Sequence, residues 1–577
     1  MTARRAILLV FVLIVLASVV SIAGLLVLAG TVRAPSVPSE ATLHLEIDAP
    51  FAEIEPISLL SPFTTTQTLR STVDTIRKAK TDARIKTLVI RPQASGALWG
   101  QLQEVRAALV DFRQSGKPIT AFLEYAGAQE YYLASAADRV VMMPGGVLNL
   151  TGVATYELFF RGTLDKLGVY PDLLHIGEYK TFSNTFTERG FTPAHREMTQ
   201  SLNHDWYEQL VKGIAEGRGR SEAEIAAAID GGPYLAEEAR EAGLLDAVAY
   251  EDQLDDTEPV RGTRPLEAET YTQVPLSDVG LGTGARVALL YATGTIASGE
   301  SSFDSPTGMV LGSETFIKWV RKVRVDPDIR AIVVRIDSPG GSAIASEAIW
   351  RELMLTRDIK PVIVSMGNVA ASGGYYIAVP AHAIVAEPGT LTGSIGVVTG
   401  KFVLDGALEK LGIDEAAVSE GRFAQLESPF SAFTPEQRAR MEEQLHATYE
   451  LFLARVAAGR DTTPERIDAV AQGRVWTGRQ AVELELVDEL GGLETALQLA
   501  KQRAKLDPAK DVELVVYPPK RTVYDLLADP FGASVSGARA VGLLRSPEGR
   551  LLEAAASTLQ LFRRGEPLLI MPNVFWN

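Results

Sequence analysis

The chain has 577 residues, enough for roughly two to four domains that each bury a core, and its 46% hydrophobic share excludes a largely disordered protein. A net charge of −16 leaves no excess of basic residues to meet a phosphate backbone, which argues against nucleic acid as a partner. Cysteine is absent, so disulfides, zinc–thiolate sites and thiol nucleophiles are excluded.

Arg4 and Arg5 precede an uncharged run from Ala6 to Gly30. At 1.5 Å per residue such a run spans a hydrocarbon core of about 30 Å, whereas a signal-peptide core is usually about 7–15 residues. The run predicts one N-terminal transmembrane helix within an anchor covering residues 1–35. Its positive flank stays in the cytoplasm and sends the remaining chain across the membrane. A long signal peptide cut near "VLAG" is the alternative.

The body then reads as one unit written twice. "RIKTLVIRPQASGA" (84–97) matches "DIRAIVVRIDSPGG" (328–341), 244 positions later. "AQEYYLASAADRVVMMPGGVLNLTGV" (128–153) matches "SGGYYIAVPAHAIVAEPGTLTGSIGV" (372–397) at the same offset, as does "GEYK" (177–180) against "GRFA" (421–424). "FTP" recurs at 191 and 433, two residues short of that spacing. One offset held over three blocks marks a duplication. The expected division is a first repeat over 36–255, a linker over 256–284, a second repeat over 285–520 and a tail over 521–577. The linker is polar and rich in proline and glycine.

Within the repeats, "RVALLYATG", "IRAIVVRID" and "KPVIVSMG" predict buried strands. The segment from Thr434 predicts an amphipathic helix, with Thr434 as N-cap, Pro435 in the first turn, and Met441, Leu445, Tyr449 and Phe452 on one face. Strands alternating with helices give an α/β fold with a mostly parallel sheet. In the tail, "GRLLEAAASTLQLFRR" reads as a helix that packs on the body, with a membrane-interfacial helix as the alternative.

Several signatures of chemistry are missing: G-x-S-x-G, S-x-x-K, H-E-x-x-H and a Walker A loop. "GLGTGA" (280–285) precedes a strand instead of following one and reads as linker. The six histidines show no ligand spacing, so no metal and no cofactor is expected, and His175 reads as a structural residue. What remains is "IDSPGGS" at the end of one strand and Ser372, in "ASGG", after the next. Both fall at the carboxyl ends of strands, where open α/β sheets bind ligands. Gly340, Gly341 and Gly373 would let backbone N–H groups point into a site. The N–H groups of Gly341 and Gly373 together would form an oxyanion hole.

On "SPGG", "ASGGYY", "GTLTGSIGV" and "GEYKTFSNTFTERGFTP", the chain resembles the signal peptide peptidase A (protease IV) family of the ClpP/crotonase-like superfamily, in its long, duplicated, membrane-anchored form. The resemblance runs over about residues 1–515 and implies two tandem ClpP/crotonase-like repeats. It implies Ser372 as nucleophile, Lys180 as general base and Ser394 as a hydrogen-bonding partner of that lysine. It also implies cleaved signal peptides and other hydrophobic peptides as substrates, a small apolar P1 pocket, and a homo-oligomer, a tetramer by family precedent. The location implied is the bacterial inner membrane, with the catalytic body on the periplasmic or extracytoplasmic side.

The repeat supports the same pair independently. At the offset of Ser372 the first half has Ala128; at the offset of Lys180 the second half has Ala424; and "QASGA" replaces "DSPGG". Each half keeps what the other lacks, as expected for one site assembled across both. A lysine acts as base only when neutral, so burial must lower its pKa, and the nearby Glu178 and Glu188 must point away. Two alternatives remain open. A crotonase-type acyl-CoA enzyme would share the glycine-built hole, and a catalytically silent membrane scaffold would share the fold.

Overall fold

The computed structural model describes residues 36–54, 67–254, 256–302, 309–519, 566–572 and 575–576. The expected anchor (6–30) and tail helix (549–564) lie outside the described residues. Among the described residues no helix is long and apolar enough to cross a membrane.

The first half contributes β1 (Ala41–Asp48), β2 (Ile85–Gln93), β3 (Ile119–Ala126), β4 (Arg139–Leu148), β5 (Thr155–Tyr156), β6 (Tyr170–Ile176), β7 (Tyr234–Leu235), β8 (Ala247–Val248) and β9 (Arg264–Glu267). The second contributes β10 (Arg286–Thr293), β11 (Thr295–Ala297), β12 (Val310–Gly312), β13 (Ile329–Ser338), β14 (Gly340–Ser342), β15 (Val362–Ala371), β16 (Ala383–Ala386), β17 (Leu391–Gly393) and β18 (Val397–Val403). It continues with β19 (Val475–Thr477), β20 (Glu489–Leu490) and β21 (Glu513–Tyr517), and β22 (Leu568–Ile570) and β23 (Phe575–Trp576) close the chain.

The duplication is visible in strand order. The first sheet runs β7-β4-β3-β2-β1-β9, with β8 also on β4; the second runs β19-β17-β15-β13-β10-β21, with β16 between β15 and β20. β4 does alone what β16 and β17 do together. Its Arg139–Met142 part lies parallel to β3 and β8, and its Val147–Leu148 part pairs antiparallel with β7. The central strands are parallel and buried on both faces, as the run "IRAIVVRIDS" of β13 requires.

β9 lies inside the segment expected as linker. It pairs with β1 from Ala41↔Arg264 to His44↔Glu267, and only Leu266 points inward. A four-residue edge strand containing proline carries almost no periodic signal, and an edge is where proline is tolerated. The helix Pro435–Gly459 forms as expected, with Thr434 capping it and Met441, Leu445, Tyr449 and Phe452 buried.

A third sheet, β12-β11-β14-β22-β18-β6, joins the halves. β6 of the first half lies antiparallel to β18 of the second over seven residue pairs, from Val397↔Ile176 to Val403↔Tyr170. A buried ion cluster makes a second join. Arg335 on β13 reaches Glu53 at 3.1 Å and Glu104 at 2.8 Å, both from the first half.

Candidate active site

β15 ends at Ala371, and the next residue, Ser372, turns sharply with φ 54° and ψ −112°. This is a costly conformation for a residue with a Cβ, about 1–3 kcal/mol, and is held by its surroundings. Ser372 N–H donates to Gly393 O at 2.8 Å, and its own carbonyl accepts from Tyr376 N–H at 2.8 Å, opening the helix Gly373–Ala378. The side chain is therefore held between the strand end and the helix start.

The glycine turn lies alongside. Ser338 Oγ donates to Gly294 O at 2.6 Å and accepts from Gly340 N–H at 3.2 Å. The Gly340 N–H is thereby occupied, and this glycine serves by lacking a side chain: with φ +102°, a Cβ here would fall 2.7 Å from Gly373 N. A Cβ on Gly373 would lie 3.2 Å from Gly341 N, so those two amides sit close together beside Ser372. Asp337 ties the turn to the serine strand by accepting from Val369 N–H at 2.9 Å. Burial and the neighbouring Glu53 push the Asp337 carboxyl up to about 7.

Lys180 arrives from the other half. The long β6–β18 pairing carries the chain to Gly177, and Tyr179 N–H then donates to Gln472 O at 2.8 Å. Lys180 Nζ lies 2.7 Å from Ser372 Oγ, 2.8 Å from Ser394 O and 3.0 Å from Ser394 Oγ. Lys180, Ser372 and Ser394 are all 0% exposed. Burial drives the lysine pKa well below its ordinary value, and no carboxylate offsets it. Glu178 is exposed. Ser394, like Ser372, has positive φ (50°), and its N–H is held by Arg474 O at 2.7 Å.

Two glycines to which the sequence reading gives no role shape the site. Gly473 (φ +78°) presses against the Lys180 backbone, where a Cβ would come 2.4 Å from Lys180 N. Gly177 (φ +105°) presses likewise on Gln472. Gly177 opens the "GEYK" block and Gly473 lies in none of the quoted motifs; only the fold brings 177–180 against 472–473. His175 sits apart, its Nδ1 3.1 Å from Gly177 O.

The first half has no equivalent pair. β3 ends at Ala126 as β15 ends at Ala371, and Gly127, not Ala128, is the residue that follows and caps the helix Ala128–Ala134. The first half carries one extra residue before the shared tyrosine, whose hydroxyl bonds a carbonyl in both halves (Tyr131 to Leu244, Tyr375 to Leu486). Neither Gly127 nor Ala128 has a hydroxyl. Ala424 lies in an exposed turn.

The assembly thus brings together a hydroxyl, an amine whose pKa burial lowers, and two close amides, the kinds of group that acyl transfer from a peptide can use.

Comparison with known proteins agrees. The model of peptidase family S49 matches residues 111–257 and 355–507, one segment in each half. A chloroplastic serine protease SPPA from Arabidopsis thaliana is 34% identical over 474 residues, covering 80% of this chain and 69% of the relative. Protease 4 from Salmonella typhi is 35% identical over 477 residues, covering 80% and 76%. Protease 4 from Haemophilus influenzae is 31% identical over 447 residues, covering 74% and 71%. The chain belongs to peptidase family S49, in its signal peptide peptidase A (protease IV) branch, and is a serine protease.

Proposed function

We propose that this protein is a membrane-anchored endopeptidase built on two ClpP/crotonase-like repeats. It degrades cleaved signal peptides and other hydrophobic peptides on the extracytoplasmic side of the membrane through a Ser372–Lys180 dyad. The observation that carries the reading is the 2.7 Å approach of Lys180 Nζ to Ser372 Oγ where both are fully buried.

A neutral lysine has two N–H bonds and one lone pair. With its N–H groups donated to Ser394 O and Ser394 Oγ, the lone pair is left for the Ser372 hydroxyl proton. Ser372 Oγ attacks the peptide carbonyl as Lys180 takes that proton, and the Gly341 and Gly373 amides hold the oxyanion. Lys180 then protonates the leaving amine, and on the return step it takes a proton from the water that hydrolyses the ester. Gly340 supplies space and no amide. Phe182, two residues after Lys180, and Val398 belong to one apolar cluster, a surface that would favour hydrophobic peptides.

A homo-oligomer, a tetramer by family precedent, is part of the proposal, and the duplication supports it. β6 reaches out of the first half to pair with β18. Its counterpart in the second half, 414–420, pairs with nothing among the described residues and exposes Val418 fully, with Leu411 and Ile413 half-exposed or more beside it. The counterpart of β18, 153–159, shows Tyr156 and Leu158 to solvent. The same pairing repeated between copies joins second half to first half and continues around a ring.

Hydrolysis of a leucine-rich reporter peptide tests the dyad. Ser372→Ala and Lys180→Ala should each lose about a thousandfold or more in kcat/KM with the fold intact. Activity surviving either change refutes the assignment.

A further inference from the structure

A peptide that offers its carbonyl to Gly341 N–H has to run as a strand beside Gly340–Ser342. That place is already filled. β22 lies between β14 and β18, antiparallel to both, with Gly340↔Ile570, Gly341↔Leu569 and Ser342↔Leu568 on one side and Val398↔Leu568 on the other. Beyond the strand, Ala343 N–H donates to Pro567 O at 3.2 Å and Met571 N–H to Pro339 O at 2.8 Å. Bonded pairs alternate in an antiparallel ladder, so these two flanking pairs make Gly341–Leu569 the bonded pair between them. The Leu569 carbonyl therefore faces the amide to which the mechanism assigns the oxyanion.

The side chains are seated as a ligand's would be. Leu569 is 0% exposed and packs into the core of the second half. Leu568 and Ile570 pack with Phe182 and Val398 across the groove. Past the groove the chain is held again, where Phe575–Trp576 pairs antiparallel with Thr155–Tyr156. With this strand in place Ser372 and Lys180 have no accessible surface.

We propose that the segment Glu566–Met571 is a resident ligand of the protein's own peptide-binding groove, with Leu569 in the position of the residue whose carbonyl is attacked, and that it leaves before another peptide is cut. The assignment of the attacked carbonyl rests on the Ser372–Lys180 reading; the occupancy of the groove does not. Two strands cannot share one pair of edges, so the segment and any substrate exclude each other.

Amide hydrogen exchange on the full-length Ser372→Ala chain measures occupancy without chemistry. Leu568, Leu569, Ile570 and Met571 amides should be protected in the free protein and lose about tenfold or more of that protection under saturating acetyl-Pro-Leu-Leu-Ile-Met-amide. Fast exchange in the free chain, or protection unchanged with the peptide bound, overturns the proposal. On the active enzyme, Leu569→Glu, or truncation after Arg564, should raise kcat/KM for a reporter peptide about tenfold, chiefly through KM. An unchanged KM in a chain that circular dichroism shows folded counts against it. If truncation unfolds the protein, the exchange result decides. Loss of residues 570–577 from wild type but not from Ser372→Ala, by intact mass, supports the register. Should Ser372→Ala keep full hydrolysis, the dyad falls while the exchange result still judges the strand.

Discussion

Lys180 has three oxygens around its Nζ and, among the described residues, no carboxylate that raises its pKa, which suits the proposed role of base at the expense of stability. Its pKa is lowered in the folded protein, so between the folded value and the ordinary lysine value the unfolded chain binds the extra proton. Stability therefore rises with pH across that window. Lys180→Met should abolish activity yet raise the melting temperature. The gain should be clear at about pH 6, shrink as pH rises toward the ordinary lysine value of about 10.4, and vanish only above it, where the lysine is neutral in both states. Thermal melts over that range read this; a variant less stable than wild type at the lower pH contradicts the neutral-lysine account. Activity should rise with pH as the base deprotonates. At this scale the sequence was readable because duplication supplies a control: Ser372 and Lys180 each lack a partner in their own half. Gly341 and Gly373 were legible from their motifs, whereas the bond that occupies the Gly340 amide depends on where the Ser338 hydroxyl points.

The elements that matter most for the site are the ones sequence patterns describe least. Long buried strands such as β10, β13 and β15 announce themselves as apolar runs, and the helix Pro435–Gly459 by its cap and spacing. β9, β14 and β22 are three or four residues long and exist only through pairing with distant segments, so no local periodicity marks them. The same holds for the contact of Gly473 with Lys180, which depends on β6 lying against β18. Gly473→Ala puts a Cβ against the Lys180 backbone and displaces the amine from the serine by a fraction of its hydrogen-bond length. Misplacement on that scale costs about 100-fold in kcat with little change in KM. Steady-state kinetics check this, and an unaltered kcat would show that the approach of 472–473 does not position the lysine.

For the whole molecule, duplication explains both the division of labour and the surface left over. Two halves with matching strand order are joined by β6–β18 and by Arg335 between Glu53 and Glu104, a buried cluster that separation of the halves would leave unpaired. The join leaves the second half's own arm, 411–420, in solvent. Val418→Asp places a charge where the proposed ring contact would require an apolar residue. The variant should shift the protein to monomers in sedimentation, with each chain's Ser372–Lys180 geometry retained. An unchanged assembly would remove this arm from the interface.

The central claim is that Ser372 is a nucleophile only because Lys180 from the other half deprotonates it. Labelling with a serine-reactive phosphonate, mapped by peptide mass spectrometry, tests it most directly. The account predicts a single labelled peptide containing Ser372 in the wild type and none in Lys180→Met; labelling at another serine, or at Ser372 regardless of Lys180, would contradict it.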